Sequence, residues 1–308
     1  MHSRPLVGLK VDIENCGFDV FVNGGLITSN LMGTPSHESL PINHFVRSGE
    51  NELMVYVYED ATEPTCDVSV AVTLGDADNE AAKPRSLLTL AYSAKALASG
   101  DPGRGSSPAG RFDTHRGERS DKGELVVGPV KIDHLPGRAA HIRTAARSFS
   151  LPVPFPEWVF FKGQPVPRWW EFKDDKEREP IYLEIQKAYG ELQAMLAKKD
   201  VTGFLDACEE RSREIDLAYY KKPGETRARL RKDLESAMSD AKLKLIPVVK
   251  PPGKHWQYTV GSSGKLIELT TGKRASPIIR FEMTDDTQFS MVFPVVFRKE
   301  GGRYIVTR

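Results

Sequence analysis

The chain has 308 residues, 40% of them hydrophobic and 28% charged, a balance that excludes a disordered chain and gives room for two domains. Lys and Arg number 43 against 42 Asp and Glu, so there is no large field of one sign to draw nucleic acid. The longest strongly apolar run, around Phe289–Phe297, holds Pro294 and is about half of what a spanning helix needs, so no membrane span is expected.

The first half reads as all-β. Leu6–Ile13 alternates, and Phe18–Val22 runs into Asn23-Gly24-Gly25. Asn-Gly is a strong hairpin signal, because both central positions of a type I′ turn need positive φ. Leu53, Val55 and Val57 fall on one face of the next strand, with Met54, Tyr56 and Tyr58 on the other. Cys66–Leu74, Leu87–Tyr92, Glu124–Ile132 and Ala139–Leu151 read as further strands, which together make a sandwich over residues 1–150. Residues 98–123, rich in Gly, Ser, Pro and charge, fit no helix or strand and read as a long disordered-like loop.

Asp19-Val20-Phe21-Val22-Asn23-Gly24, followed by Leu40-Pro41-Ile42-Asn43-His44-Phe45-Val46-Arg47-Ser48-Gly49-Glu50-Asn51-Glu52-Leu53, resembles the galactose-binding-like jelly roll. That family carries a V-N-G strand end, then an I-x-x-x-V-x-x-G-x-N-x-L-x-V segment that turns at Gly49-Glu50-Asn51 into a long strand. The resemblance covers about forty residues and implies the fold. It implies no ligand, since the family holds sugar binders and structural modules alike.

Residues 151–170 form a connector of five prolines with Phe155, Trp158, Phe160, Phe161, Trp169 and Trp170. These aromatics are costly to leave in water. They either pack in a groove between the domains or form a binding platform, with Trp158, Trp169 and Trp170 as its candidate residues.

From Ile181 the period changes. Ile181, Ile185, Ala188, Tyr189, Leu192, Met195 and Leu196 make a helical stripe. Asp200 caps a second helix with Val201, Phe204, Leu205, Cys208 and Ile215 inward, and Pro223-Gly224 opens a third with Leu230, Leu234, Ala237, Met238 and Ala241. Strands are predicted at Leu243–Val249, His255–Val260, Lys265–Thr270, Ile278–Met283, Gln288–Arg298 and Tyr304–Thr307. Helices followed by antiparallel strands imply an α+β domain over 171–308, with the helices on a curved antiparallel sheet. This order resembles the nuclear-transport-factor-2-like cone, a family of isomerases, dehydratases, immunity proteins and dimerisation modules. Homodimerisation through the open sheet face is one arrangement the resemblance implies.

Chemistry is sparse. There is no dinucleotide fingerprint, Walker loop, H-E-x-x-H or nucleophile elbow, and no two of the seven histidines stand three or four residues apart. No metal or cofactor is expected. In cone enzymes an Asp base works with a Tyr or His acid inside an apolar cavity. The candidates here are Asp216, Tyr220, His255 and Tyr189, with Tyr219 and Tyr258 behind them. Against this, tyrosines at such places close the core, and Asp216, with Arg213 three residues before it, reads as an exposed, paired carboxylate. The basic run Arg227, Arg229, Arg231 and Lys232 is interleaved with acids and reads as a solvated face. Cys16, Cys66 and Cys208 fit no metal spacing. Cys16 and Cys66 can pair if their strands are neighbours in an oxidising compartment; otherwise all three are small, half-buried thiols.

The expectation is a non-catalytic module that binds a protein partner. The two resemblances with the Pro/Trp connector look like bacterial proteins of unassigned function, some of which act with secretion systems, for example as immunity proteins that block a toxin. The alternatives are a small-molecule enzyme or ligand binder using the cone cavity, and carbohydrate binding by the first domain through Phe18, Phe45 or Tyr58. Met1–Pro5 carries a charge but no apolar stretch behind it, which implies a cytoplasmic protein as the sequence stands, and a periplasmic one if a leader was removed.

Overall fold

A computed structural model describes residues 4–58, 65–79, 83–95, 104–106, 126–139, 142–248, 256–261, 263–271, 278–284 and 290–308. The chain divides into two compact units, Met1–Trp158 and Val159–Arg308.

The described elements of the first unit are strands β1 (Pro5–Glu14), β2 (Gly17–Val22), β3 (Gly25–Asn30), β4 (Ser36–Pro41), β5 (Gly49–Tyr58), β6 (Asp67–Asp76), β7 (Arg85–Ser93), β8 (Arg104–Ser106), β9 (Val126–His134) and β10 (Arg143–Leu151), with single 3₁₀ turns at Asn43–Phe45 and Gly137–Ala139. They form two antiparallel sheets, ordered β4-β1-β6-β7-β8 and β3-β2-β5-β10-β9. The alternation read from the sequence sets their faces. Phe18, Val20 and Val22 lie opposite Val57, Val55 and Leu53, all fully buried. Asn23 and Gly24 have φ of 51° and 81°, the two-residue turn expected between β2 and β3. β8 corrects the expectation that no strand fits within residues 98–123: Arg104–Ser106 pairs with β7. β5 starts at Gly49, so the residues expected to turn there are already in the ladder, and the tight bend falls at Gly49 itself, with φ of 88°.

Three asparagines hold the loop between β4 and β5. The Asn23 side chain donates to Phe45 O at 2.7 Å and to Asn51 Oδ1 at 2.8 Å, and accepts from Glu52 N at 2.9 Å. Asn51 accepts from Arg47 N and donates to Arg47 O and Gly49 O. Asn43, fully buried, accepts from Val7 N at 2.6 Å and donates to Pro5 O at 3.1 Å. Each amide replaces a strand partner that the loop lacks.

Arg147 projects from β10 beside Leu53 into the buried face and is 1% exposed. It donates to Gly128 O on β9 and to Thr89 O on β7, both at 2.9 Å, and so ties one sheet to the other. Burial lowers its pKa to about 10. Cys16, at the corner between β1 and β2, is disulfide-bonded to Cys66, just before β6, with Cα atoms 5.1 Å apart. The three-thiol expectation is corrected: the strands are neighbours, since Glu14 lies opposite Asp67.

The second unit holds helices α1 (Asp175–Ala197), α2 (Val201–Ala207), α3 (Glu209–Ala218) and α4 (Glu225–Ser239), then strands β11 (Leu243–Leu245), β12 (Trp256–Val260), β13 (Ile267–Thr271), β14 (Arg280–Met283), β15 (Ser290–Val292), β16 (Phe297–Glu300) and β17 (Arg303–Val306). α1 begins six residues before Ile181 because Asp174 caps it, accepting from Lys176 N and Glu177 N. The expected second helix is two, broken at Cys208, and Ile215 beyond the break is only half-buried. Ala241 lies past the end of α4 and is exposed.

The strands make two antiparallel sheets, β11-β14-β15 and β12-β13-β16-β17, where one curved sheet was expected. The strand predicted over Gln288–Arg298 is interrupted between Val292 and Phe297. Pro294 has no N–H to give a ladder, and the chain changes sheet there. β11 is also shorter than predicted. Past Leu245, the Gln193 amide takes over as pairing partner, donating to Ile246 O and accepting from Val248 N.

Asn43→Leu keeps the volume but leaves a buried N–H and C=O without partners. It is expected to destabilise the chain by about 2–4 kcal/mol, read as a lower urea midpoint at unchanged slope. An unchanged midpoint contradicts the role given to this amide.

Candidate functional site

The residues with the strongest claim to chemistry lie in the second unit. Tyr189 sits on the inward stripe of α1 with Ile185, Leu192 and Leu196, all buried. Its hydroxyl donates to Val295 O at 2.6 Å and accepts from Leu269 N at 3.2 Å. The ring meets Phe297 edge-on at 4.8 Å. Burial, reinforced by the nearby Glu268 charge, raises the phenol's pKa well above its ordinary value. The group is a neutral pin from α1 to β13 and to the sheet change at Pro294.

Asp216 is 4% exposed, which corrects its reading as an exposed carboxylate paired with Arg213. Its Oδ2 accepts from Gly224 N and its Oδ1 from Thr226 N, both at 2.8 Å. It thereby caps α4, whose own N-cap is Gly224 and brings no side chain. Asp216 is bonded to these backbone amides and not to Tyr220, which leaves α3 with φ of 56°. Tyr189 and Asp216 share no partner, and His255 lies outside the described residues.

Around Tyr189, Phe281, Phe293, Val295 and Phe297 are buried in one core with Ile267 and Leu269, and Met291 packs against it. Phe281 and Phe293 meet edge-on at 5.9 Å. Met283 is half-buried, and Phe289 lies outside the described residues.

The tryptophans fall in different units. In the first, Trp158 is fully buried and donates its indole N–H to Val46 O at 2.7 Å, beside Phe155. In the second, Trp170 is 6% exposed under Arg168, whose guanidinium carbon is 5.5 Å from the ring centre. Trp169 meets Trp170 edge-on and packs against the core. Trp158 and Trp170 therefore offer no open ring face for a ligand.

Two polar clusters escaped the sequence reading. On β2, Asp19 is fully buried and accepts from Ser29 Oγ at 2.7 Å and Tyr58 Oη at 2.6 Å. Its signal was an acid in the middle of an apolar strand. On α3, Glu210 and Glu214 stand one turn apart. Glu210 binds Arg298 through both guanidinium ends, and Arg298 also reaches Glu300. Glu214 binds Arg308 and accepts from Val159 N at 2.8 Å, while Arg308 lies over the Phe160 ring at 4.5 Å. Burial works against the Arg298 charge, but the bonds to Glu210 and Glu300 raise its pKa; burial lowers that of Arg308. The break at Cys208 leaves α3 free to aim these glutamates at the sheet, so ion pairs hold a helix where apolar contacts are few.

The three arginines of the basic run on α4 have acidic partners: Arg227 pairs with Asp206 and Glu209, Arg229 with Asp233 and Arg231 with Glu235. Among the described residues no three His, Cys, Asp or Glu are grouped to hold a metal, and no helix is long and apolar enough to cross a membrane.

Structural roles for these groups have a measurable consequence. Tyr189→Phe strips partners from a buried amide and a carbonyl and is expected to cost about 1–3 kcal/mol; Asp216→Asn, which weakens a cap, about 1–2 kcal/mol. Unchanged urea midpoints in both contradict the assignment. No family model, curated protein or solved structure matches the chain.

Proposed function

We propose that this chain is a non-catalytic binding protein whose function lies on its surfaces, with another protein as its partner. The observation that carries the reading is the commitment of the buried chemistry-bearing groups. Tyr189, in a core with Phe281, Phe293 and Phe297, and Asp216, buried where α3 gives way to α4, direct their polar atoms at backbone N–H and C=O groups. A general base or acid is aimed at a substrate, and the bonds these two groups make are aimed at the backbone.

We read the first unit as a jelly-roll-like sandwich, since the chain crosses several times between its two antiparallel sheets, and the second as cone-like, with α1 laid against the sheets. Carbohydrate binding by the first unit draws no support from Phe18 and Phe45, which are 0% and 8% exposed, or from Tyr58, which is half-buried and bonded to Asp19. The resemblances favour a bacterial setting in which the partner is a secreted toxin or a secretion-system component.

The test starts with cross-linking in the producing cells and identification of the captured protein. That protein is then made separately and titrated with the purified chain. A stoichiometric complex with Kd at or below about 1 μM is expected. If the partner is a toxin, co-expression of this chain restores growth. Saturable small-molecule binding or turnover by the purified chain, with no stoichiometric protein complex, overturns the reading.

A further inference from the structure

We propose that the Cys16–Cys66 disulfide is a structural bond of the working protein, which therefore matures and acts in an oxidising compartment. The inference rests on the first unit's topology and does not depend on the binding reading.

Cys16 occupies the corner where the chain leaves β1 of one sheet and enters β2 of the other. Cys66 leads into β6, the antiparallel neighbour of β1. The bond thus fastens one of the points where the chain passes from one sheet to the other. Asn15, next to Cys16, has φ of 59°, a left-handed conformation that asparagine tolerates and that turns the chain at this corner. The Cα separation of 5.1 Å lies within the range that disulfides occupy. The closed loop, with a sequence separation of 50, contains β2, β3, β4 and β5, so the bond removes much freedom from the unfolded chain.

Other roles for the pair fit less well. A metal site needs further ligands, and among the described residues no such group exists. A reactive thiol pair needs access, and Cys16 and Cys66 are 3% and 2% exposed. The third cysteine does not compete: Cys208 is fully buried in the core of the second unit, and burial pushes its thiol up to about 11.

Formation is a two-electron exchange. The Cys16 and Cys66 thiols react with a disulfide of the oxidoreductase or low-molecular-weight class; one S–S bond forms in the chain, one breaks in the oxidant, and both protons end on the two departing thiols. A reducing cytosol runs the exchange backwards, whereas an oxidising compartment preserves the product, which its burial shields from attack.

The test uses full-length protein from its producing cells, acid-quenched, denatured and alkylated with N-ethylmaleimide. The expected mass carries one adduct, on Cys208, and digestion yields a linked Cys16–Cys66 peptide. Three adducts overturn the proposal. Oxidised and phosphine-reduced protein are then compared in urea, beside the Cys16→Ser/Cys66→Ser variant. Loss of the bond is expected to lower the first unit's folding equilibrium about a thousandfold, equally by reduction or by substitution, with no further effect of reductant on the variant. Equal stability of oxidised and reduced protein overturns the structural role.

Discussion

A backbone N–H or C=O that leaves a β-ladder inside this protein must find a partner, and buried side chains supply it. The constraint is general, since an unpaired buried backbone group costs as much as several favourable contacts return. Here it is met residue by residue. Asn43 pairs with Val7 and Pro5, Asn51 with Arg47 and Gly49, Gln193 with Ile246 and Val248, Tyr189 with Val295 and Leu269, and Asp216 with Gly224 and Thr226. Arg147 does the same between the sheets of the first unit, and Trp158 closes the loop at Val46.

This constraint also bears on function. A carboxylate, a phenol or an indole reads in a sequence as chemistry, but its use depends on what its polar atoms face. Asp216 faces two amides at the start of a helix that has no capping side chain of its own. Tyr189 faces a carbonyl and an amide where Pro294 interrupts a strand. Glu210 and Glu214 face arginines that anchor α3. In each case the nearest partner is the fold itself.

Much of the fold was legible where local periodicity decides. The alternation Leu53, Val55, Val57 gave the buried face of β5, Asn23-Gly24 gave the hairpin, and Asp200 gave the cap of α2, accepting from Gly203 N. Contacts between residues distant in sequence were not legible. Asp216 is a cap only because the chain turns back eight to ten residues later, and no spacing rule marks that. Nothing local to Arg147 says that Thr89 O and Gly128 O await it. The split at Pro294 was readable in principle, because a proline inside a long predicted strand argues against continuity; the apolar run around it masked the signal. Of the candidate site, the residue types were legible and their commitments were not.

The most direct measurement of this account is native-state amide hydrogen exchange on the intact chain. The amides of Val7, Gly224, Thr226, Val248 and Leu269 lean on side chains that lie far from them in sequence or outside any ladder. The account predicts protection at these five positions close to that of neighbouring ladder and helix amides. Exchange at the rates of open loops would contradict it, by showing that Asn43, Asp216, Gln193 and Tyr189 are not committed to the backbone and have polar atoms free for other work.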